Sequence, residues 1–134
     1  MKNQKIIPIF YTCDNENIGS TVASIRSLLS NRDKSYSYTV CVLHDGIDTS
    51  SMKKMFALSE RGFEITLEDV SYYTKSRDNV KISFSSDFVR AFIPEMFPGY
   101  GRSILVSSDY VASEDISAFF ENAPSNSSLF RIGC

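Results

Sequence analysis

The 134-residue sequence predicts one α/β domain, residues 1–134, doubly wound around a mostly parallel sheet. Short apolar runs alternate with segments of helical periodicity, which is the element order of such a fold. The runs lack a regular apolar/polar alternation, as expected for strands that are buried on both faces. With 43% hydrophobic residues, the chain is long enough to form a core without a disulfide or a structural metal.

The strands are predicted from four runs that are dense in aliphatic and aromatic side chains: Ile9–Cys13, Tyr38–Leu43, Glu64–Leu67 and Ser103–Val106. A fifth strand is predicted over Ser127–Ile132. Pro8 is expected at the first residue of the first strand, where its missing N–H removes no bond from the sheet.

Four helices are predicted between these strands. The first has one apolar face, with Asn15 or Asn17 as the capping residue. The second covers Met52–Ser59, and the third runs from near Ser85 to Phe97 with a kink or restart at Pro94. The fourth is predicted over Ser113–Glu121. The apolar face of the first helix is formed by Ile18, Val22, Ile25 and Leu29.

Charge and composition exclude several functions. The net charge is −2 and no run of Lys or Arg is present, which excludes a nucleic-acid or anionic-membrane surface. No apolar stretch reaches the roughly 18 to 20 residues that span a bilayer. The three cysteines do not form a disulfide framework and suit a reducing compartment. We therefore expect a cytoplasmic protein.

Ligands of doubly wound sheets bind beyond the carboxyl ends of the strands, near the switch point of the topology. There, Asp14 either accepts hydrogen bonds from a ribose or base, or caps the first helix through an Asx turn. His44 precedes the turn signal Asp45-Gly46 and has no second histidine for a metal cluster, which favours a structural role. Asp69 and the Ser107–Asp109 segment complete this set.

Three further residues have both a functional and a structural interpretation. Asp109 or Asp115 could hold a divalent cation, but Asp115 precedes a helical pattern and is better explained as a helix cap. Arg90 lies between aromatic residues on the third helix, where it either reaches a diphosphate or is a surface arginine.

The chain resembles the N-terminal part of the family 8 glycosyltransferases, retaining enzymes of the GT-A type. Four stretches carry the resemblance, in the family's order and spacing, over roughly residues 6 to 120. They are IPIFYTCDNENIGSTVASIRSLL, YTVCVLHDGI, FVRAFIPEMFP and RSILVSSDYVASEDISAFF.

The resemblance implies roles for individual residues. Asp14 matches the nucleotide-contacting aspartate and Arg90 the arginine that faces the phosphate and sugar of the donor. Asp109 matches the second aspartate of the Asp-x-Asp metal motif, whose first position is Ser107 here. Asn15, which departs from the family's usual residue, and Ser107 are placed in the same nucleotide-sugar site.

The implied reaction transfers a hexose from a UDP-sugar to a carbohydrate acceptor with retention, using Mn²⁺ or Mg²⁺. The chain is shorter than family members and lacks their metal-binding histidine near a Lys-Pro-Trp element, since it contains no Trp and its one histidine is elsewhere. With Ser107 in the metal motif, the resemblance implies weakened metal binding and impaired transfer.

Two other functions remain open. A non-catalytic module of the same fold, either a pseudoenzyme or a partner-binding domain, fits Ser107 and the short length and is expected to form a homodimer. A receiver-type signalling domain fits the length and Asp14, but the chain has no lysine after Lys81 to serve its phosphorylation chemistry.

Overall fold

A computed structural model describes residues 5–71, 93, 102–122 and 129–132. Within them, five parallel strands form one sheet in the order β3-β2-β1-β4-β5. The strands are β1 (Lys5–Cys13), β2 (Tyr36–His44), β3 (Phe63–Asp69), β4 (Ser103–Val106) and β5 (Leu129–Ile132). The α/β class and the parallel sheet are those that the sequence predicts.

The described helices are α1 (Ile18–Ser30), α2 (Thr49–Phe56) and α3 (Ser117–Asn122). Helix α2 begins before the predicted Met52, because the Asp48 carboxylate accepts a hydrogen bond from Ser51 N at 2.7 Å. Hydrogen bonds from the hydroxyl and then the backbone N–H of Ser51 lower the pKa of Asp48. Helix α3 begins at Ser117, later than predicted, and the N–H of this first residue donates a hydrogen bond to the Asp115 carboxylate.

Both faces of the central strands are buried, and alternate residues of these strands separate into two clusters. On one face, Ile9 of β1 and Val40 of β2 pack with residues of all three helices. On the other face, Phe10 and Leu43 pack with Val70 and other buried residues. The second cluster consists of Phe10, Cys41, Leu43, Val70, Ile93 and Leu105. The central part of the sheet is therefore covered from both sides, as expected for a doubly wound fold.

Two expectations about the strands are wrong. Pro8 lies inside β1 rather than at its start, and the pairing of β1 with β4 begins only after it, at Ile9. Strand β3 alternates between buried residues such as Ile65 and exposed ones such as Glu64. It lies at the edge of the described sheet, where one face is less covered.

The strand order fixes where the chain reverses its direction of winding. From β1 the chain passes to β2 and β3 on one side, and later returns to β4 and β5 on the other. The switch point therefore lies between the carboxyl ends of β1 and β4, where such sheets place their ligands.

Candidate functional site

The loops after β1 and β4 meet at the switch point. Asp14 follows β1 directly, and Ser107 follows β4 directly. A hydrogen bond of 3.3 Å from Asn17 Nδ2 to Ser108 Oγ connects the two loops. The structure thus brings together the candidates Asp14 and Ser107–Asp109, which the sequence holds far apart.

One oxygen of Asp14 stabilises the turn that leads into α1. Its Oδ1 accepts hydrogen bonds from Glu16 N at 2.9 Å and from Asn17 N at 3.0 Å. Asn17 is the N-cap residue, but its side chain accepts from Asp14 N instead of capping the helix. The Asx-turn interpretation of Asp14 is therefore confirmed. Of the two predicted capping residues, Asn17 occupies the N-cap position, although its side chain makes no capping hydrogen bond.

The loop after β4 is held by its own backbone. Ser107 N donates to Ile132 O of β5 at 2.8 Å, and Tyr110 N donates to Ser107 O at 3.0 Å. Within the loop, Ser107 Oγ donates to Asp109 Oδ1. Asp109 is exposed and Ser107 is half-buried, so both side chains can reach a ligand at the sheet edge.

Helix α1 fixes the chain just beyond this loop. Ser27 Oγ accepts a hydrogen bond from Ala112 N at 2.8 Å, and Asn31 Nδ2 donates to Ala112 O at 3.1 Å. Both backbone polar groups of Ala112 are therefore satisfied, by a side chain of α1 and by that of its C-cap residue Asn31. No local pattern indicates these contacts, because their partners are more than 80 residues apart in sequence.

His44 has the structural role that the sequence favours. It is 2% exposed, and its Nδ1 accepts a hydrogen bond from Gly46 N at 3.1 Å, which closes the turn after β2. Asp69 accepts a hydrogen bond from Ser71 N at 2.9 Å in the turn after β3. Neither residue lies at the switch point.

Asp115 also acts within the fold. It accepts a hydrogen bond from Tyr38 Oη at 2.6 Å and one from Ser117 N at 3.0 Å. Burial, and then the bond to Asp115, raises the pKa of Tyr38. The helix-cap interpretation of Asp115 is confirmed.

A profile described as "Glycosyl transferase family 8" matches residues 8–130. The chain belongs to glycosyl transferase family 8. The match covers all five described strands in whole or in part. It therefore confirms the resemblance and removes the support for a receiver-type domain.

Solved structures agree on the fold of this family 8 chain. The apo structure of the WbbM bifunctional glycosyltransferase matches with a TM-score of 0.77 and 23% identity, over 89% of this chain and 21% of that one. The glycosyltransferase GlyE of Streptococcus pneumoniae TIGR4 matches with a TM-score of 0.65 and 19% identity, over 90% and 28% of the two chains.

The mannosyltransferase Ktr4p of S. cerevisiae matches with a TM-score of 0.51 and 12% identity, over 88% of this chain and 36% of that one. The family 8 chain thus spans well under half the length of these structures. A comparison with curated protein sequences finds no match. Among the described residues, no helix combines the length and apolar character needed to cross a bilayer.

The family 8 assignment raises the question of a metal. Within the described ranges, no three His, Cys, Asp or Glu side chains are grouped to hold an ion. Asp109 supplies one carboxylate and Ser107 a neutral hydroxyl oxygen. This set fits a cation that is held by few protein ligands together with substrate phosphates, a mode that Mg²⁺ uses.

Two candidates are not placed with this set. Arg90 and most of the predicted third helix lie outside the described residues, so its role stays a prediction. Asn15 is exposed in the turn between Asp14 and Glu16. Sequence analysis predicts Asn17 only as a helix cap and misses its place at the switch point, where it bonds to Ser108 and connects the two loops.

Proposed function

We propose that this family 8 domain binds a UDP-sugar at the switch point and serves transfer of its hexose, with retention, to a carbohydrate acceptor. The observation that carries the proposal is the convergence of Asp14 and Asp109 on neighbouring strand ends, connected by the Asn17–Ser108 bond. Nucleotide ligands of doubly wound sheets bind at such a position.

Asp14 contributes an oxygen to the nucleoside. Its Oδ1 is used by the turn, whereas Oδ2 makes no hydrogen bond with the described residues and belongs to an exposed side chain. Oδ2 accepts from a ribose hydroxyl or a base N–H. Asn15 contributes to the same part of the site, and Arg90 pairs with the diphosphate or sugar, as a guanidinium can.

Asp109 and Ser107 hold the divalent cation, Mn²⁺ or Mg²⁺, which neutralises charge on the diphosphate when bound. Loss of one charged contact costs about 1.5–3 kcal/mol, or roughly tenfold to a hundredfold in affinity. Since Ser107 stands where the family motif has an aspartate, we propose that metal binding is weak and transfer by this chain is slow.

Isothermal titration of UDP, with and without Mn²⁺, tests the proposal. We expect UDP to bind and Mn²⁺ to tighten the binding, and we expect Asp109→Asn to remove the effect of Mn²⁺. Glu114→Gln is the matched control, because it removes an exposed acid outside the loop. Absence of heat in both titrations contradicts the proposal.

A second candidate is a non-catalytic module that forms a homodimer. It is favoured by the small ligand set of the site, one carboxylate beside a serine hydroxyl. Exposed apolar side chains, including Val111 at 68% and Ile6 at 54%, offer surface for self-association. Sedimentation from micromolar to millimolar protein tests it, and a monomer throughout contradicts it.

We further propose a cytoplasmic location. Cys13 and Cys41 are buried free thiols, which suits a reducing compartment. Fractionation of cells that express the native gene, followed by detection of the protein, tests this location. Recovery in a secreted fraction contradicts it.

A further inference from the structure

A second concave site lies at the other end of the strands, away from the switch point. A cavity of about 440 Å³ opens beside the amino ends of β2 and β3. Its walls come from Arg32, Lys34, Tyr36, Ser37, Arg61 and Gly62. Since β2 has nine residues and a strand rises about 3.3 Å per residue, the cavity and the switch point are about 25 Å apart.

The walls of this cavity are cationic. Three of its six lining residues are Arg or Lys, although the chain as a whole carries a net charge of −2. Three acids lie next to the lining residues: Glu60 pairs with Arg32 at 2.9 Å, Asp33 accepts bonds from Ser35, and Glu121 accepts a hydrogen bond from Tyr36 Oη at 3.4 Å and pairs with Lys5 at 2.8 Å. With Lys5 added to the three lining cations, four cations against three acids leave the cavity and its described neighbours with one positive charge in excess.

Arg61 is held in place by a tight turn. Glu60 and Phe63 exchange two backbone hydrogen bonds of 2.9 Å, so Arg61 and Gly62 form a two-residue loop. Gly62 has a φ of 81°, a left-handed conformation that favours glycine. Its carbonyl accepts a hydrogen bond from Tyr38 N at 2.8 Å, which joins the turn to β2.

The remaining cations are held in a similar way. Tyr36 N donates to Asp33 O at 3.1 Å and closes the turn that contains Lys34. Arg32, whose side chain is only 13% exposed, donates to Arg61 O at 3.2 Å and to Glu60. Two hydrogen-bonded turns therefore fix the backbone at Lys34 and Arg61, and two side-chain bonds fix the Arg32 guanidinium.

We propose that this cavity binds an oxyanion carried on a body of about the size of one sugar ring. The cations of its walls recognise the oxyanion, since guanidinium and ammonium groups form charge-assisted bonds with carboxylate and phosphate. The volume lies in the range of small-molecule sites and exceeds what a bare phosphate fills. Tyr36 offers an apolar wall for the body of the ligand.

Titration with glucuronate tests this proposal, with glucose as the neutral counterpart of the same ring and inorganic phosphate as the bare oxyanion. We expect glucuronate to bind more tightly than either and to weaken as salt is raised. Equal binding of glucose contradicts the role of charge. Equal binding of phosphate contradicts the role of the sugar-sized body.

Variants locate the binding. We expect Arg61→Ala to weaken glucuronate about tenfold or more. Its side chain is exposed, and the backbone carbonyl that Arg32 uses is retained. Lys54→Ala is the matched control, because it removes an exposed cation of α2 that does not line the cavity. Equal weakening by both variants contradicts the assignment to this cavity.

The proposal is independent of the function of the switch point. Because the two sites lie at opposite ends of the strands, saturating UDP with Mn²⁺ should leave the affinity for glucuronate unchanged. Glucuronate binding that persists in a protein without UDP binding supports the cavity while contradicting the nucleotide-sugar proposal. Competition between UDP and glucuronate places both ligands at the switch point and overturns the inference.

Discussion

One oxygen of the Asp14 carboxylate accepts hydrogen bonds within the turn before α1, and we propose that the other one binds the nucleoside. Asp14→Asn keeps the acceptor oxygen of the turn and removes the charge, so we expect stability to be preserved and UDP affinity to fall about tenfold. Asp14→Ala also removes the turn, at a cost of about 1 kcal/mol in the free energy of unfolding. Urea unfolding and UDP titration of both variants separate the two roles.

The control for this pair is Asp45→Asn, which removes an exposed acid at the end of β2 and away from the switch point. UDP affinity should be unchanged in this variant. If Asp14→Asn also binds UDP like the wild type, Asp14 serves the turn alone and the nucleoside is held by other residues.

Ser107 accounts for the small ligand set of the proposed cation site. Ser107→Asp places a second carboxylate beside Asp109, and we expect Mn²⁺ to tighten UDP binding by a further tenfold to a hundredfold. Without the cation the two acids repel each other and the bond from Ser107 Oγ is lost, so the variant should unfold at lower urea and recover with Mn²⁺.

Ser107→Asn is the matched control, because it has the same size as aspartate without its charge. It should show neither the stronger effect of Mn²⁺ nor recovery by the ion. The same behaviour in both variants indicates that Asp109 does not take part in metal binding.

Single residues differ in how far the sequence can predict their roles. Asp14 and Asp109 follow apolar runs, and the rule that ligands bind at strand ends selects them without a structure. The Asn17–Ser108 bond joins residues 91 positions apart, and no local spacing indicates it. Arg90 shows the limit of local spacing, because a surface arginine and a phosphate ligand have the same pattern.

At the scale of elements, α1 positions the loop after β4. Ser27→Ala leaves Ala112 N–H without its side-chain acceptor in a partly buried contact, and we expect a loss of about 1–2 kcal/mol in stability. Since Ala112 lies three residues beyond Asp109, amide exchange at Ala112 should accelerate and the effect of Mn²⁺ on UDP should weaken.

Ser30→Ala tests the same helix without the contact, because Ser30 is exposed at the end of α1. It should leave stability and amide exchange near those of the wild type. Urea unfolding and hydrogen exchange followed by NMR measure both effects. Equal exchange rates at Ala112 in the two variants contradict the positioning role of Ser27.

The interiors of the helices and strands could be predicted from their apolar residues. Their ends depend on contacts with residues that are distant in sequence. The apolar face of α1 and the apolar runs of β1, β2 and β4 are intrinsic to the sequence. The start of α3 depends on Asp115, which also bonds to Tyr38 of a distant strand. The alternation of β3 depends on its position at an edge of the described sheet.

At the scale of the whole molecule, the two ends of the sheet differ in charge. The carboxyl ends of β1 and β4 lead to the acids Asp14 and Asp109, and the amino ends of β2 and β3 adjoin a cationic cavity. The rule that ligands bind beyond the carboxyl ends of the strands predicts the first of these two sites only. The cavity is formed by two turns that are separated by β2 and α2, so only the assembled sheet shows it.

The buried core predicts how the molecule responds to alkaline pH. Burial raises the pKa of the Cys41 thiol from 9.0 to about 11, and burial also raises the pKa of Tyr11. A pKa that folding raises means that the folded state favours the neutral group, so this stability is fully present below the unfolded pKa and is lost above it. For Cys41 the loss develops between pH 9 and about 11.

We therefore expect the free energy of unfolding to be flat from neutral pH to pH 9 and then to fall, with about 2–3 kcal/mol of the loss due to Cys41. Cys41→Ala removes that titrating group, so its stability should fall less steeply over the same range, even though the smaller side chain lowers stability at neutral pH. Urea unfolding at several pH values measures the two slopes. Parallel curves for the variant and the wild type show that Cys41 is ionised as readily in the folded chain as in the unfolded one, and that the face of the sheet around it admits water.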